Sequence, residues 1–147
     1  VWGREASRHK AAENGWAVAA SREDFFAQAD VLCLLLRLSP QTQGYVTAQD
    51  LARMKSDAIL INTARAELIE PGALVQALRQ GHPGFAAVDV YEQEPVLVDR
   101  HPLQDLPNCL CTPHLGFVEQ DNYESYLGQA FDHINRFCSD TAAPLNK

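Results

Sequence analysis

Four short apolar runs, residues 30–36, 58–62, 85–90 and 109–112, alternate with segments of helical pattern, and this alternation constrains the fold more than any other feature. Strand-like runs separated by helices build a largely parallel sheet, because parallel neighbours need a crossover between them. The run at 30–36 is almost continuously apolar, as expected where helices cover both faces of a sheet. Two shorter pieces, 1–2 and 16–19, also read as strands. Ser7 caps a helix running to Asn14, and Gly15 closes it. Ser21-x-x-Asp24 approximates a capping box ahead of Phe25 and Phe26, and Thr47-x-x-Asp50 opens a short helix with Leu51 and Met54. Pro71 suits the first turn of a helix striped by Leu74, Val75 and Leu78 and ended by Gly81. Tyr123, Leu127, Ala130, Ile134 and Phe137 share one face of a C-terminal helix over 119–138. The pattern is that of an α/β protein, and 147 residues suffice for one domain with a real core.

Three of the apolar runs end in words that carry chemistry: Asn62-Thr63-Ala64-Arg65, Asp89-Val90-Tyr91-Glu92-Gln93-Glu94-Pro95 and Thr112-Pro113-His114-Leu115-Gly116. Ligands of open parallel sheets sit outside the carboxyl ends of the strands. Arg65, Asp89 and His114 all follow their strands at once, so they converge on one edge. Arginine offers a planar fork that matches a carboxylate in two hydrogen bonds. Histidine moves protons near neutral pH. Glu94 beside it would favour the imidazolium and fix its tautomer.

Other features narrow the function by exclusion. A net charge of −7 argues against a general binder of phosphate backbones. The longest apolar run is far short of a membrane span, and the start shows no signal-peptide pattern, so a cytoplasmic setting is expected. The four cysteines read as buried or half-buried thiols; Cys109-x-Cys111 has the spacing of a strand face rather than of a zinc knuckle, and no metal site is expected. His9, His82, His101 and His133 read as surface residues. No Gly-x-Gly-x-x-Gly loop and no Tyr-x-x-x-Lys motif occurs.

The order of the three words, with Arg65, Asp89, Glu94 and His114 separated by 24, 5 and 20 residues, resembles the D-isomer-specific 2-hydroxyacid dehydrogenases, which include phosphoglycerate dehydrogenases and glyoxylate/hydroxypyruvate reductases. The resemblance implies a Rossmann-like parallel sheet with helices on both faces. Residues 1–147 would form a partial NAD(P)-binding domain in which the first strand and the glycine-rich loop are absent. It implies that Arg65 binds the substrate carboxylate, that His114 paired with Glu94 is the general acid/base, and that NAD or NADP is the cofactor. The substrate would be a small 2-hydroxy or 2-keto acid and the assembly a homodimer, with no nucleic-acid or membrane partner. The cofactor residues would be Leu36, Arg37 and Thr42 on the pyrophosphate side, Thr63 and Ala64 through their backbone, and Arg65, Asp89, His114 and Gly116.

Departures from the family pattern carry their own expectations. Gly3, followed by Arg4, stands where NAD-preferring domains place a ribose-binding acid. Glycine leaves room for a 2′-phosphate and arginine can pair with it, with Arg8 to assist; a one-residue shift would instead make Glu5 the ribose acid. Ala66 and Phe117 replace commonly smaller residues and would narrow the pocket. Without a central first strand, the segments at 1–2 and 16–19 lose their neighbour, and unpaired edges invite association. Residues 1–147 alone are therefore expected to show little or no dehydrogenase activity. The rival functional class is a non-catalytic dinucleotide-binding or protein-interaction module on the same fold; a methyltransferase or short-chain dehydrogenase fits the motifs less well.

Overall fold

Side chains alternate along a strand, so the register of a sheet decides which residues share a face. In the computed structural model, which describes residues 1–96 and 100–141, four parallel strands lie in the order β1 (Val31–Leu34), β2 (Ile59–Asn62), β3 (Phe85–Val88) and β4 (Cys109–Cys111). Leu32, Leu60, Ala86 and Cys109 stand in one row, and Leu34, Asn62, Val88 and Cys111 in the next row of the same face. Against this face pack Phe26 of α2 (Arg22–Gln28), Leu51 of α3 (Ala48–Ala52) with Met54 just beyond it, and Leu74, Ala77 and Leu78 of α4 (Ala73–Gln80). Leu51, Leu60 and Leu68 are fully buried. The first compact unit, Val1–His114, also contains α1 (Glu5–Glu13).

The parallel α/β architecture is as expected. The opposite face of the sheet differs in detail, because Val31 (56%), Ile59 (37%), Phe85 (54%) and Leu110 (66%) are exposed. Burial therefore alternates with a period of two along strands whose composition has no such period. This corrects the expectation for the cysteines as well: Cys33 lies on that open row and is exposed, as is Cys138, while Cys109 and Cys111 are half-buried.

Local signals fix the element ends. Ser21 Oγ accepts the Asp24 amide at 3.0 Å, and Thr47 and Asp50 close a reciprocal capping box. Arg22 reaches from α2 to hold the buried Asp50 carboxylate at 2.9 and 2.7 Å, which joins α2 to α3 beneath the sheet. Three expectations need correction. Pro71 lies before α4 rather than in its first turn, since Gly72 is the N-cap, at φ 75°. The first helix starts at Glu5 with Arg4 as N-cap, so Ser7 lies within its first turn. Segments 1–2 and 16–19 form no strand: two hydrogen bonds, Val1 amine to Ala17 carbonyl and Ala19 amide to Val1 carbonyl, join them, too few for a ladder.

The second unit begins at Leu115 and carries one helix, α5 (Gln120–Thr141), with Tyr126, Phe131, Ile134 and Phe137 exposed. No helix among the described residues is long and apolar enough to cross a membrane.

Candidate active site

The turn after β2 is built by one buried side chain. Asn62 Oδ1 accepts the Ala64 amide at 3.1 Å, and its Nδ2 donates to the Arg65 carbonyl at 2.9 Å. An asparagine that bonds its own backbone two residues on is a turn device. Here it folds Thr63-Ala64-Arg65 over the strand tip and leaves Arg65 exposed. The Arg65 Nη1 donates to the Ala64 carbonyl at 2.6 Å.

The tips of β3 and β4 are tied to each other. The Asp89 amide donates to the Asn62 carbonyl at 3.0 Å, and the Thr112 hydroxyl donates to the buried Asp89 carboxylate. Tyr91 makes two further links: its amide donates to Glu94 Oε1 at 2.8 Å and its hydroxyl to the Thr112 carbonyl at 3.1 Å. Its burial, with Cys111 and Cys109 nearby, pushes the phenol well above its usual range, so it acts as a neutral donor.

These ties bring Glu94 to His114. The histidine Nδ1 donates to Glu94 Oε2 at 2.6 Å, and each side chain keeps about a third of its surface open. His114 holds the left-handed backbone region at φ 55°, which a non-glycine residue adopts seldom and often at functional sites. Burial works to raise the Glu94 carboxyl. The hydrogen bonds from His114 and the Tyr91 amide, and the charges of His114 and Arg65, outweigh it and hold the group below the usual carboxylate range. His114 and Arg65 thus both bear on the Glu94 carboxylate.

The other expected positions fall in two groups. Leu36 is half-buried and Arg37 exposed beyond β1, whereas the Thr42 hydroxyl is engaged within its own loop, donating to the Arg37 carbonyl and accepting the Ser39 amide, both at 2.8 Å. Thr63 is exposed and Ala64 half-buried at the β2 tip, and Gly116 lies in the second unit. At the N-terminus, Gly3 is half-buried, Arg4 exposed, and the Arg8 guanidinium lies over the Trp2 ring at 4.6 Å.

Residues 1–116 match the family described as D-isomer specific 2-hydroxyacid dehydrogenase, NAD binding domain. The chain belongs to the D-isomer-specific 2-hydroxyacid dehydrogenases. It is 38% identical over 120 residues to the glycerate dehydrogenase of Methylorubrum extorquens, covering 78% of this chain and 37% of that protein. A phosphoglycerate oxidoreductase from Vibrio cholerae superposes with a TM-score of 0.84 at 53% identity, over 95% of this chain and 44% of that one. A D-isomer specific 2-hydroxyacid dehydrogenase from Xanthobacter autotrophicus, solved with NADPH and MES, superposes with a TM-score of 0.58 at 40% identity, over 63% and 29%. The chain therefore spans well under half the length of these relatives.

Within this 2-hydroxyacid dehydrogenase chain, three residues to which the sequence assigned no role tie the strand tips together: Asn62, Tyr91 and Thr112. The first could be found from the Asn-x-Ala-Arg turn itself. His101 corrects the reading of it as a surface residue: its side chain is half-buried, paired with Glu92 at 3.0 Å. His82, though exposed, bonds the Met54 carbonyl at 2.8 Å. A cavity of about 170 Å3 is lined by Asn62, Val88 and Val90 of the strand tips and by Glu92, His101 and Leu103; neither Arg65 nor His114 lines it. Burial first, then Cys111, pushes the Cys109 thiol up to about 12, so it stays protonated and inert. Among the described residues no cluster suits a metal ion.

Proposed function

We propose that this chain supplies the nucleotide-binding and proton-transfer part of an NAD(P)-dependent oxidoreductase that interconverts a small D-2-hydroxy acid and its 2-keto acid. The 2.6 Å Glu94–His114 contact is the observation that carries the reading. Reducing a 2-keto acid takes a hydride at carbon, which the nicotinamide supplies when bound, and a proton at the carbonyl oxygen. His114 gives that proton from Nε2, because Nδ1–H is directed to Glu94. Ionised Glu94 stabilises the imidazolium that must form again in the reverse direction. Arg65 grips the substrate carboxylate with the face of its fork not spent on Ala64.

On the cofactor side, Asp89 serves the nicotinamide end, Leu36, Arg37 and Thr42 the pyrophosphate, and Thr63 and Ala64 approach through backbone atoms. The residues at the ribose end fit NADP. A Cβ at Gly3 would make only ordinary contact with Ser7 Cβ, at 3.8 Å. The α1 N-terminus has no side-chain cap, and exposed Arg4 stands beside it. Trp2 Nε1 and Arg8 Nε are buried with no hydrogen-bond partner, which is how a site looks before a polar ligand completes it. The reading has the protein act as a homodimer.

The test is turnover of glyoxylate and hydroxypyruvate with NADPH and NADH, by the protein expressed with any flanking sequence its gene encodes. Wild type is expected to reduce at least one 2-keto acid, and His114→Ala to bind cofactor without turnover. Full turnover by His114→Ala would refute the assignment.

A further inference from the structure

The loop that carries Glu94 holds a second histidine–carboxylate contact. Glu92 Oε2 accepts from His101 Nε2 at 3.0 Å. His101 Nδ1 accepts the Leu103 amide at 3.3 Å, so the ring proton resides on Nε2 and one neutral tautomer satisfies both partners. The ring also packs edge-on against Tyr91, centroids 5.1 Å apart. Tyr91 in turn binds Glu94 through its amide and Thr112, two residues before His114, through its hydroxyl. Glu92 and His101 both line the cavity of about 170 Å3, so on that side the segment has empty space rather than packed atoms. Hydrogen bonds must supply the restraint that packing does not.

We propose that His101 is a positioning residue for the proton-transfer pair: through Glu92 and Tyr91 it fixes the turn that presents Glu94 to His114. The inference rests on the reading of Glu94 and His114 as that pair. It differs from a capping role, because capping the turn at Pro102–Asp105 needs only the Nδ1 acceptor.

Two substitutions separate the roles. His101→Asn keeps an acceptor for the Leu103 amide, since asparagine is a good cap, but is too short to hold Glu92. Glu92→Ala breaks the same contact from its half-exposed side, where folding is least at risk. NMR of imidazole nitrogens and carboxyl carbons in the 147-residue chain reads the pair directly. Both variants are expected to raise the Glu94 midpoint towards the ordinary carboxylate value and to speed exchange of the His114 Nδ1 proton. The double variant adds nothing to either single one, because all three remove one contact. In the complete protein kcat falls about three- to tenfold while KM for the keto acid stays within about twofold, as loss of alignment rather than of binding predicts. Unchanged Glu94 and His114 signals in both variants, or additive effects in the double, overturn the proposal. Turnover that survives His114→Ala while the Glu94 signal still moves with His101 would instead sink the catalytic reading and leave the positioning intact.

Discussion

At the strand tips side chains tie the turns together, whereas segment 1–2 is joined to segment 16–19 by two backbone hydrogen bonds, with the Arg8 guanidinium over the Trp2 ring. Asn62 closes the β2 turn, Thr112 joins β4 to β3, and Tyr91 joins both sides of the Glu94–His114 pair. In the N-terminal segment α1 buries only Ala11, and two polar nitrogens lie buried without partners. The proposed proton-transfer pair is tied into the sheet by side-chain hydrogen bonds, and the proposed ribose end has few such ties. The difference predicts that changes at the tips act on rate and stability, and changes at the N-terminus on cofactor choice.

The largest effect breaks the comparison if it fails. His114→Ala removes the proposed proton carrier, and kcat/KM in the complete protein is expected to fall about 10²- to 10⁴-fold, the usual worth of a general acid/base. NADPH affinity, measured by Trp fluorescence, stays within about twofold because the ribose end is built separately. A loss of cofactor binding equal to the loss of rate would mean that the two ends are one structure.

Beneath the tips, Arg22 and Asp50 clamp α2 to α3. Burial raises the Asp50 carboxyl, but the Arg22 hydrogen bond and the Thr47 amide and hydroxyl outweigh it and hold it below its ordinary range. A depressed folded value contributes stability above the unfolded value, near about 4. That contribution is lost as pH falls through the folded value. Asp50→Asn is expected to cost about 2 kcal/mol at pH 7. In urea titrations the gap between wild type and variant should close on acidification. A gap that persists at pH about 2 would show that the clamp works through shape and not charge.

How much of this was legible in the sequence depends on which physical signal each feature leaves. The strands were, because a parallel strand is written as a short apolar run. The open face was not: Val31, Ile59 and Phe85, which are exposed, are as apolar as Leu32, Leu60 and Ala86, which are buried. Composition records that a face is suited to burial, not what lies on it. Arg65, Asp89 and His114 stood out because each follows an apolar run at once, and Glu94 because it lies in the same word as Asp89. Tyr91, Thr112 and His101 did not, since their contacts join segments 9–23 residues apart that no local pattern announces. Segments 1–2 and 16–19 have strand composition, but a strand is defined by its neighbours.

A smaller effect tests the turn after β2. Asn62→Ala removes two bonds to the backbone of residues 64 and 65 from a buried site, and about 1–2 kcal/mol of stability should go with them. The sharper readout is kinetic. If Asn62 aims Arg65, KM for the keto acid rises more than kcat falls, because the carboxylate grip is lost before the proton path. Equal effects on both would place Asn62 in the general framework of the sheet.

The smallest expected effect falls at the N-terminus, and it discriminates between two alignments of the same residues. Arg4 is exposed and makes no side-chain cap, so Arg4→Gln should leave the urea midpoint unchanged. If the Gly3–Arg4 step receives a 2′-phosphate, the variant loses about fivefold in NADPH affinity, the scale of one solvent-exposed charge pair, and nothing in NADH affinity. The NADPH loss should shrink with added salt, because the pairing is screened. If Glu5 is the ribose-binding acid instead, Glu5→Gln weakens NADH and Arg4→Gln weakens neither cofactor. One pair of substitutions and two titrations thus decide which side chain of a loosely held segment meets the ribose, a choice that the well-ordered strand tips leave open.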